Sequence, residues 1–588
     1  MHYKEQRSRL ENGVHRIQTG RMSSSAIQQM DSTSLIAVVK DLRELIIPSR
    51  FERAQQPNQG SIQLGFRNLD GLIWLELSWD ARAPRLVQIN APERLGSEST
   101  LAQQFQYGLN QLALVSIEQK GFERIITFSL AKRPGDPIQK TIILELMGRH
   151  SNILLLNSES KIITLGRQVR SHQSRVRPIS TGDSYTSPPS LKGLEPSLNI
   201  SYFEWKERLT TVPKSLKESL QDSYQGISPA LAMQICGEEK ESADKLSKTS
   251  ILKISERELK LIYENWKTWL NCLKNETLYL QFTGPTEYRF WSNKETNSKD
   301  GIKSCKKLGE YFKIRLEKIT IEKLYSKLIQ KVTKSIEKEN YLIQEQEKLL
   351  KESLEMESTK RKADKIMCSI PLNKDLIKEA QNLYNKAKKL KRSKIIIMNR
   401  LTIHNKNLER IIESKYFLGI ILNSKNENNS KKIANLTELS NEIDELIAPT
   451  RLKSKVKIKS KDISQRPLEI KTKRGLKVII GRNHRQNELI SHKEAKPGDL
   501  WFHAQECPGS HVILKGSERL PDEEDLQTAS DLAAFFSRAK NNTKVPVVIV
   551  PIEKLKRIPG SVPGALSYKE AKVCWAYPVK ANPYIYPE

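Results

Sequence analysis

Two arms of seven-residue apolar repeat constrain this chain more than any other feature. In the first arm Ile329, Ile336, Ile343 and Leu350 recur at every seventh position, with Val332 three residues after the first. In the second, Leu383, Leu390, Ile397, His404, Ile411 and Leu418 do the same, and Ala387, Leu401 and Leu408 fill part of the companion positions. Such a repeat keeps an apolar seam on one side of a helix, so each arm needs a partner helix along its length. About thirty residues containing Ile370-Pro371 separate the arms, and proline interrupts a helix. The spacing predicts a long antiparallel coiled-coil hairpin over residues 321–448, with two arms meeting partner helices in a dimer as the alternative. At ~1.5 Å per residue, an arm of about 35 residues spans roughly 50 Å, so the hairpin supplies reach.

The rest of the 588 residues is multidomain α+β, since roughly 100–200 residues fill one ordinary core. Residues 1–29 read as a disordered leader, and Met30 as the start of the first domain. An amphipathic helix at Ser34–Leu45 precedes strand patterns at Ser61–Arg67, Gly71–Ser78, Arg85–Ile89, Arg124–Leu130, Lys140–Met147, Asn152–Asn157 and Ile162–Gly166. Ser187-Pro188-Pro189 closes this α+β domain at about residue 190. A small helical module over 191–245 follows, with Gly226-Ile227-Ser228-Pro229 placed where a tight turn joins two helices. Residues 246–320 form the remainder of the N-terminal region, and Asn423–Lys432 reads as a loop. The linker 449–467 is basic: Lys453, Lys455, Lys457, Lys459 and Lys461 alternate, so an extended backbone puts all five on one side, as a phosphate rail or a solvated connector. From 468 to 588 an α+β pattern returns, with strands at Leu476–Gly481, His511–Leu514 and Val545–Val550 and a helix near Leu526–Lys540.

Composition then bears on the partner. Lys and Arg number 98 against 68 Asp and Glu, a net charge of +30, and residues 451–500 alone hold 15 against 5. Such a balance self-repels unless a polyanion neutralises it, which makes nucleic acid the leading partner. No apolar run is long enough for a membrane span, and no apolar segment follows the basic leader as a secretory signal requires. With six dispersed cysteines and no CxxC pair, a reducing cytoplasm is expected. The local motifs of nucleotide hydrolysis, dinucleotide binding and zinc proteolysis do not occur. His503, Cys507 and His511 have a metal-like spacing, but Pro508-Gly509 breaks any helix that would align them, so neither metal nor cofactor is expected. Trp501, Phe502, His503 and His511 lie beside the basic run and suit stacking on exposed bases, while Trp501 and Phe502 also read as core; one ring turned inward satisfies both readings. Arg124, Arg149, Arg167, Arg170, Arg175 and Arg177 form a second basic group suited to bidentate phosphate contact.

Several of these residues carry a family resemblance. Asp499-Leu500-Trp501-Phe502-His503-Ala504, followed by Pro508-Gly509-Ser510-His511-Val512-Ile513-Leu514, resembles the signature of the NFACT RNA-binding domain. Gly481-Arg482-Asn483 with Gln486-Asn487 is similar to another element of that domain. Glu145-Leu146-Met147-Gly148-Arg149-His150-Ser151-Asn152-Ile153 resembles the hallmark of the NFACT N-terminal domain, and Gly226-Ile227-Ser228-Pro229 sits at the family's helix-hairpin-helix module.

The resemblance implies a glycosylase-like fold for the first domain and ribosome quality control as the function. The implied partners are a large ribosomal subunit still holding peptidyl-tRNA, alanyl-tRNA, and a small S4-type RNA-binding protein; the implied outcome is C-terminal alanine tails made by the ribosomal peptidyl transferase. Carried over by motif, the tRNA-contacting residues are Asp31, Glu123, Arg124, Arg149, His150, Arg482, Asn483, Trp501, His503 and His511. The family's Asp-Arg pair falls on Glu123-Arg124, so the acid is one methylene longer. Between Lys365 and Ile370 the chain is shorter than most of the family, ahead of Ile370-Pro371-Leu372. Two other functions stand beside this one. A surface fibronectin-binding adhesin would owe its binding to charge; a DNA glycosylase of the formamidopyrimidine type would need an N-terminal proline, which neither Met1-His2 nor Met30-Asp31 offers.

Overall fold

The computed structural model describes residues 27–95, 99–174, 176–292, 303–368, 374–424, 427–447, 467–558 and 564–585. Residues 1–26 of the leader, Arg175, Ile370-Pro371-Leu372 and the alternating lysines of the linker lie outside the described residues. The chain divides into two compact units, Met1–Leu316 and Glu317–Glu588.

In the first unit the helix Ser32–Ile46 is set by its cap and its stripe: the Asp31 carboxylate accepts from the Ser34 amide, and Leu35, Val38, Val39, Leu42 and Ile46 are buried at helical spacing. Nine antiparallel strands follow: β1 (Ser49–Asn58), β2 (Ser61–Asn68), β3 (Gly71–Ser78), β4 (Arg85–Ile89), β5 (Ala113–Gln119), β6 (Ile125–Ala131), β7 (Lys140–Glu145), β8 (Asn152–Asn157) and β9 (Ile162–Leu165). Their order, β4-β3-β2-β1-β5-β6-β7-β8-β9, is two meanders joined where Ser49 and Arg50 of β1 pair with Leu114 and Ala113 of β5. The helix Thr100–Leu109 lies between β4 and β5 in the chain and buries Leu101, Phe105 and Leu109.

Three elements of this unit lack a clear signature in the residue pattern: β1, β5 and the helix Thr100–Leu109. In β1 the buried positions are Ser49, Phe51 and Gln55, so two of the three inward residues are polar and the alternation is invisible. Gln55 is accommodated because its amide donates to the Gln63 side chain and to the Glu93 carbonyl.

The helical module is written more plainly. Ser201/Glu204, Ser215/Glu218 and Ser255/Glu258 are three reciprocal capping boxes opening the helices Tyr202–Thr210, Leu216–Ser223 and Glu256–Lys274. Pro229 opens Pro229–Cys236, and Lys240–Lys248 follows. These helices pack about Trp205, Tyr224, Trp266 and Trp269, a core that continues to Trp291. A small hairpin, β10 (Gln281–Gly284) and β11 (Glu287–Arg289), lies ahead of Trp291 in the chain.

Long helices dominate the second unit. The helix Ser304–Ser353 begins well before the repeat starts and gives its first residues to the first unit; Met356–Met367 and Lys374–Asn423 follow. The repeat positions face inward: Val332, Ile343, Ile397, Ile411 and Leu418 are buried, and Ile329, Ile336, Leu350, Leu383, Leu390 and His404 are half-buried. The arms pair with each other, antiparallel. His404 Nδ1 lies 2.8 Å from Glu339 Oε2, while nearer the tip the Tyr384 hydroxyl donates to Asp364 Oδ1 at 2.5 Å. The loop expected over Asn423–Lys432 is shorter, because the helix Asn429–Ile447 begins inside it. Leu436, Leu439 and Ile443 of that helix pack on Leu328, Val332, Phe417 and Ile421, making the base of the hairpin a three-helix cluster whose burial the seven-residue repeat alone does not demand.

The C-terminal sheet has six antiparallel strands: β12 (Leu468–Lys471), β13 (Lys477–Ile480), β14 (Leu500–Ala504), β15 (Val512–Leu514), β16 (Val545–Pro551) and, after the small hairpin β17 (Leu555–Arg557) and β18 (Leu566–Tyr568), β19 (Lys572–Ala576). Their order is β12-β13-β15-β14-β16-β19. The helix Glu523–Phe535 covers one face through Ala529, Leu532 and Ala533, against Phe502, Val512, Leu514 and Val547. Ile479, Ile490, Trp501, Ile513, Val548 and Val550 cluster on the other.

The antiparallel pairing can be checked with Glu339→Cys and His404→Cys combined in a Cys368→Ser background. A short bis-maleimide should bridge the two thiols within one chain, seen as a gel species of monomer mass; a covalent dimer as the main product would instead put the two arms on different chains.

Candidate nucleic-acid interface

Four consecutive buried polar residues build the N-terminal site. Asp31 Oδ1 accepts from the Ser34 amide and hydroxyl at 2.9 and 2.6 Å, and Oδ2 accepts from the Ser228 hydroxyl at 2.8 Å. Ser228 in turn caps Pro229–Cys236 by accepting from the Leu231 amide at 2.9 Å. Ser32 Oγ donates to the Phe122 carbonyl at 2.6 Å, and Trp269 Nε1 donates to Thr33 Oγ1 at 3.0 Å. Gly226, with φ of +75°, has no room for a side chain: a Cβ there would lie 2.6 Å from the Phe122 ring. The turn carrying Phe122, Glu123 and Arg124 is thereby clamped between the helix Ser32–Ile46 and the helical module.

Arg124 is what this clamp presents. Its guanidinium is half-buried and, among the described residues, has no hydrogen-bond acceptor. Burial lowers its pKa from the ordinary value, while the nearby carboxylates of Asp31 and Glu123 oppose that shift. Glu123 Oε1 accepts from the Leu191 amide at 3.2 Å, and its Oε2 is buried with no partner. Asp31, Glu123 and Arg124 therefore lie together, and both Asp31 oxygens are engaged in hydrogen bonds within the protein.

At the same end of the sheet, where the Leu146 amide donates to the Arg124 carbonyl, Gly148–His150 forms one tight turn. Buried Ser151 and Asn152 hold it. The Ser151 hydroxyl donates to the Gly148 carbonyl and accepts from the Met147 amide, and the Asn152 side chain brackets the Arg167 backbone with two bonds of 2.8 Å. Arg149, His150 and Arg167 are left exposed, with Arg167 donating to the Arg149 carbonyl. Arg177 does not join this surface: it is a bidentate partner of buried Glu145, at 2.6 and 2.9 Å, with the Tyr185 hydroxyl on the same carboxylate. The sequence grouping of arginines is thus part surface and part interior.

In the C-terminal domain the motif residues are more buried than stacking on exposed bases requires. Arg482 and Asn483 are only 5% and 1% exposed. Arg482 pairs with Glu427, and burial pushes its pKa down to about 10. Asn483 caps the helix His484–Leu489 by accepting from the Gln486 amide at 2.7 Å. Asn487 Oδ1 receives the His511 amide at 3.1 Å, and a Cβ on Gly481 would lie 2.2 Å from that same oxygen. Facing this element, Glu442 accepts from the Arg485 amide at 2.9 Å and Glu445 pairs with the Arg485 guanidinium at 2.6 Å. The reason is packing: Glu442 and Glu445 belong to the helix Asn429–Ile447, which lies against this element.

Strand alternation separates Trp501 from Phe502, and both are interior, so neither is the outward ring. Trp501 stacks on half-buried His503, with centroids 5.5 Å apart and planes at 15°, and meets His511 edge-on at 5.1 Å. Burial pushes His503 down to about 4 and His511 well below its ordinary range, so both imidazoles are neutral. His511 Nδ1 bonds to Ser491 Oγ at 2.9 Å. His503 and His511 are 5.5 Å apart, yet no group of His, Cys, Asp or Glu among the described residues has the geometry to hold a metal. No described helix is long and apolar enough to cross a membrane.

The exposed rings of this domain lie elsewhere. Val573, Trp575 and Tyr577 alternate along β19 and just beyond it, with Lys544 and Lys580 over the Trp575 and Tyr577 rings. The signal available in the sequence is that alternation of large side chains flanked by lysines, which the stronger Trp501–His511 motif overshadows.

Comparison with known proteins supplies the family context. Residues 31–372 match the family model for NFACT N-terminal and middle domains, and residues 467–569 match that for the NFACT protein RNA binding domain. The chain is 25% identical over 570 residues to a protein named Rqc2 homolog RqcH from Streptococcus pneumoniae, covering 92% of this chain and 96% of that one. It is 27% identical to the protein of the same name from Bacillus subtilis, over 79% of this chain and 82% of the other. The solved C-terminal part of the fibronectin/fibrinogen-binding protein from Streptococcus suis is 26% identical, covering 44% of this chain and 95% of that one, at a TM-score of 0.36.

The carboxylates around the Gly481–Asn487 element set a pH dependence. Burial pushes Glu442 up to about 7 from 4.5, so the folded state binds its proton more tightly than the unfolded chain does. Its contribution is complete below the ordinary value and lost as pH rises through about 7. Hydrogen exchange of peptides within 429–447, corrected for intrinsic rates, should show protection falling on the order of tenfold between about pH 6 and about pH 8. Glu442→Gln should remove most of that fall; an unchanged pH profile in the variant would mean that Glu442 is not its source.

Proposed function

The chain belongs to the NFACT family, and from that premise we propose that it works in ribosome quality control, positioning an aminoacyl-tRNA on a large ribosomal subunit that still carries peptidyl-tRNA. In this reading it recruits alanyl-tRNA, the ribosomal peptidyl transferase forms the bonds, and alanine residues are added to the stalled chain without mRNA. The tail then marks that chain for proteolysis. A small S4-type RNA-binding protein is a further partner, and the cytoplasm is the site of action.

The observation that carries this reading is Arg124: a guanidinium carried on a turn that buried bonds clamp, flanked by two carboxylates, free of an acceptor among the described residues, and at the same end of the sheet as exposed Arg149, His150 and Arg167. A fixed guanidinium is suited to bidentate phosphate contact. An exposed group beside it can read unpaired bases of an anticodon loop, the part of a tRNA open to hydrogen bonding and stacking. The work asked of the protein is orientation, which in well-aligned systems contributes roughly 7–11 kcal/mol. The coiled-coil hairpin supplies the length to hold the subunit while the terminal domains hold tRNA.

Purified protein, tRNA and obstructed large subunits test the proposal directly. The protein should co-sediment with subunits and enrich one tRNA species, identified by sequencing the crosslinked RNA. Arg124→Ala should weaken tRNA binding on the order of tenfold to a hundredfold, as loss of a charge-assisted contact does, while subunit association persists. Equal loss of both would remove Arg124 from the role given to it, and failure to bind either RNA at low salt would end the proposal.

A further inference from the structure

The last strand of the C-terminal sheet carries a surface that the family match, ending at residue 569, does not include. In register, His503 of β14 sits opposite Val548 of β16, Val548 opposite Val573 of β19, and Pro546 opposite Trp575. Alternation puts these side chains on one face of the sheet, continuous with the Trp501–His503 stack. At this open edge Val573 and Trp575 are 53% and 52% exposed, and Tyr577 follows two residues on.

The backbone that carries the rings is held from behind. Cys574 and Ala576 point to the opposite face, toward the helix Glu523–Phe535. Gln527 Nε2 of that helix donates to the Trp575 carbonyl at 3.1 Å, and Asp531 Oδ1 accepts from the Tyr577 amide at 2.6 Å. The cations are placed in front: Lys544 Nζ lies 4.6 Å from the centroid of the Trp575 ring and 5.9 Å from that of Tyr577, and Lys580 Nζ lies 4.6 Å from the Tyr577 ring. Among the described residues neither lysine has a carboxylate within ion-pair distance. An ammonium resting on a ring keeps its charge for an incoming anion, and the ring it leaves offers a flat face.

We propose that Trp575 and Tyr577, with Lys544 and Lys580, form a stacking platform for unpaired nucleotides of a single-stranded RNA segment: bases on the rings and phosphates on the ammonium groups. This rests on the RNA-binding reading above and extends it to a second surface with a different mode of contact. Exposed rings along a strand with cations over their faces are what sequence-tolerant binding of single strands uses. An acidic peptide would satisfy the lysines and leave the rings unfilled.

The test uses the full chain and a short fluorescent oligouridine, titrated over a range of salt. Trp575→Ala should weaken binding on the order of tenfold with little change in salt dependence, and Trp575→Phe should retain most of the affinity. Lys544→Gln should lower the slope of log affinity against log salt by about one. Wild-type protein that binds the oligonucleotide, with Trp575→Ala binding equally well, overturns the platform and leaves the RNA-binding reading standing. Wild-type protein that binds neither this RNA nor tRNA overturns both. Polyglutamate of matched charge binding as tightly as the oligonucleotide, with the same loss in Trp575→Ala, would make the surface a protein-docking site and also overturns the platform.

Discussion

A single carboxylate at the meeting of two helix N-termini holds the first unit in register. Asp31 accepts from Ser34 in one helix and from Ser228 at the head of another, where unsatisfied amides and the helix dipole both favour negative charge. The three residues after it are equally committed: Ser32 to the Phe122 carbonyl, Thr33 to the Trp269 indole, Ser34 to Asp31 itself. Buried polar groups cost free energy unless they are paired, and three of these four reach three different segments, Ser228, Phe122 and Trp269, which narrows the arrangements that satisfy them all. The position of Arg124 is a consequence. Its turn is tied to Ser32 through Phe122 and wedged against Gly226, so the backbone from which the guanidinium extends is fixed by the seam.

The second unit uses the same device. Asp499 accepts from the Lys496 amide, the Lys515 ammonium, and the Ser517 amide and hydroxyl, filling both oxygens immediately before β14. That saturation lowers its pKa against the opposing effect of burial, and it anchors the strand on which Trp501 and His503 stack. Asn483 and Asn487 act likewise, one capping a helix and the other holding the His511 backbone. In both units several motif residues, among them Asp31, Asn483 and His511, are buried and hydrogen-bonded within the protein, while Arg149 and His150 stay exposed.

This explains what the sequence disclosed and what it did not. The coiled coil was legible because a seven-residue repeat has one physical meaning, and the helical module because Gly226-Ile227-Ser228-Pro229 marks a tight turn between two short helices. In the first sheet seven of the nine strands were legible from alternation; β1 was not, because its inward Gln55 is held by hydrogen bonds that no local pattern announces, and in the C-terminal sheet β12, β14 and β19 were not read as strands either. The clustering of Asp31, Glu123 and Arg124 came from family motifs, since residues ninety positions apart are brought together only by the fold. Burial of Arg482 was hidden because its partner, Glu427, precedes it by a helix and a linker. Arg177 read as surface charge for a similar reason: Glu145 lies two strands and a loop away.

The division between buried and exposed cations decides where selectivity can arise. A chain with a net charge of +30 will associate with any polyanion, and phosphate contacts alone carry no sequence information. Arg177, Arg482 and Lys515 are withdrawn from that general attraction by Glu145, Glu427 and Asp499. The many lysines of the surface supply affinity that falls with salt but discriminates little. Discrimination has to come from groups whose position is fixed before the ligand arrives, because a cation that must first be ordered loses in entropy what it gains in contact. The backbone carrying Arg124, tied to the Asp31 seam through Phe122, and the backbone of Trp575 and Tyr577, bonded to Gln527 and Asp531, come nearest to that condition at two different surfaces. One is suited to the charge of a folded RNA backbone and the other to bases that have left their stack, two modes of contact that call for different residues.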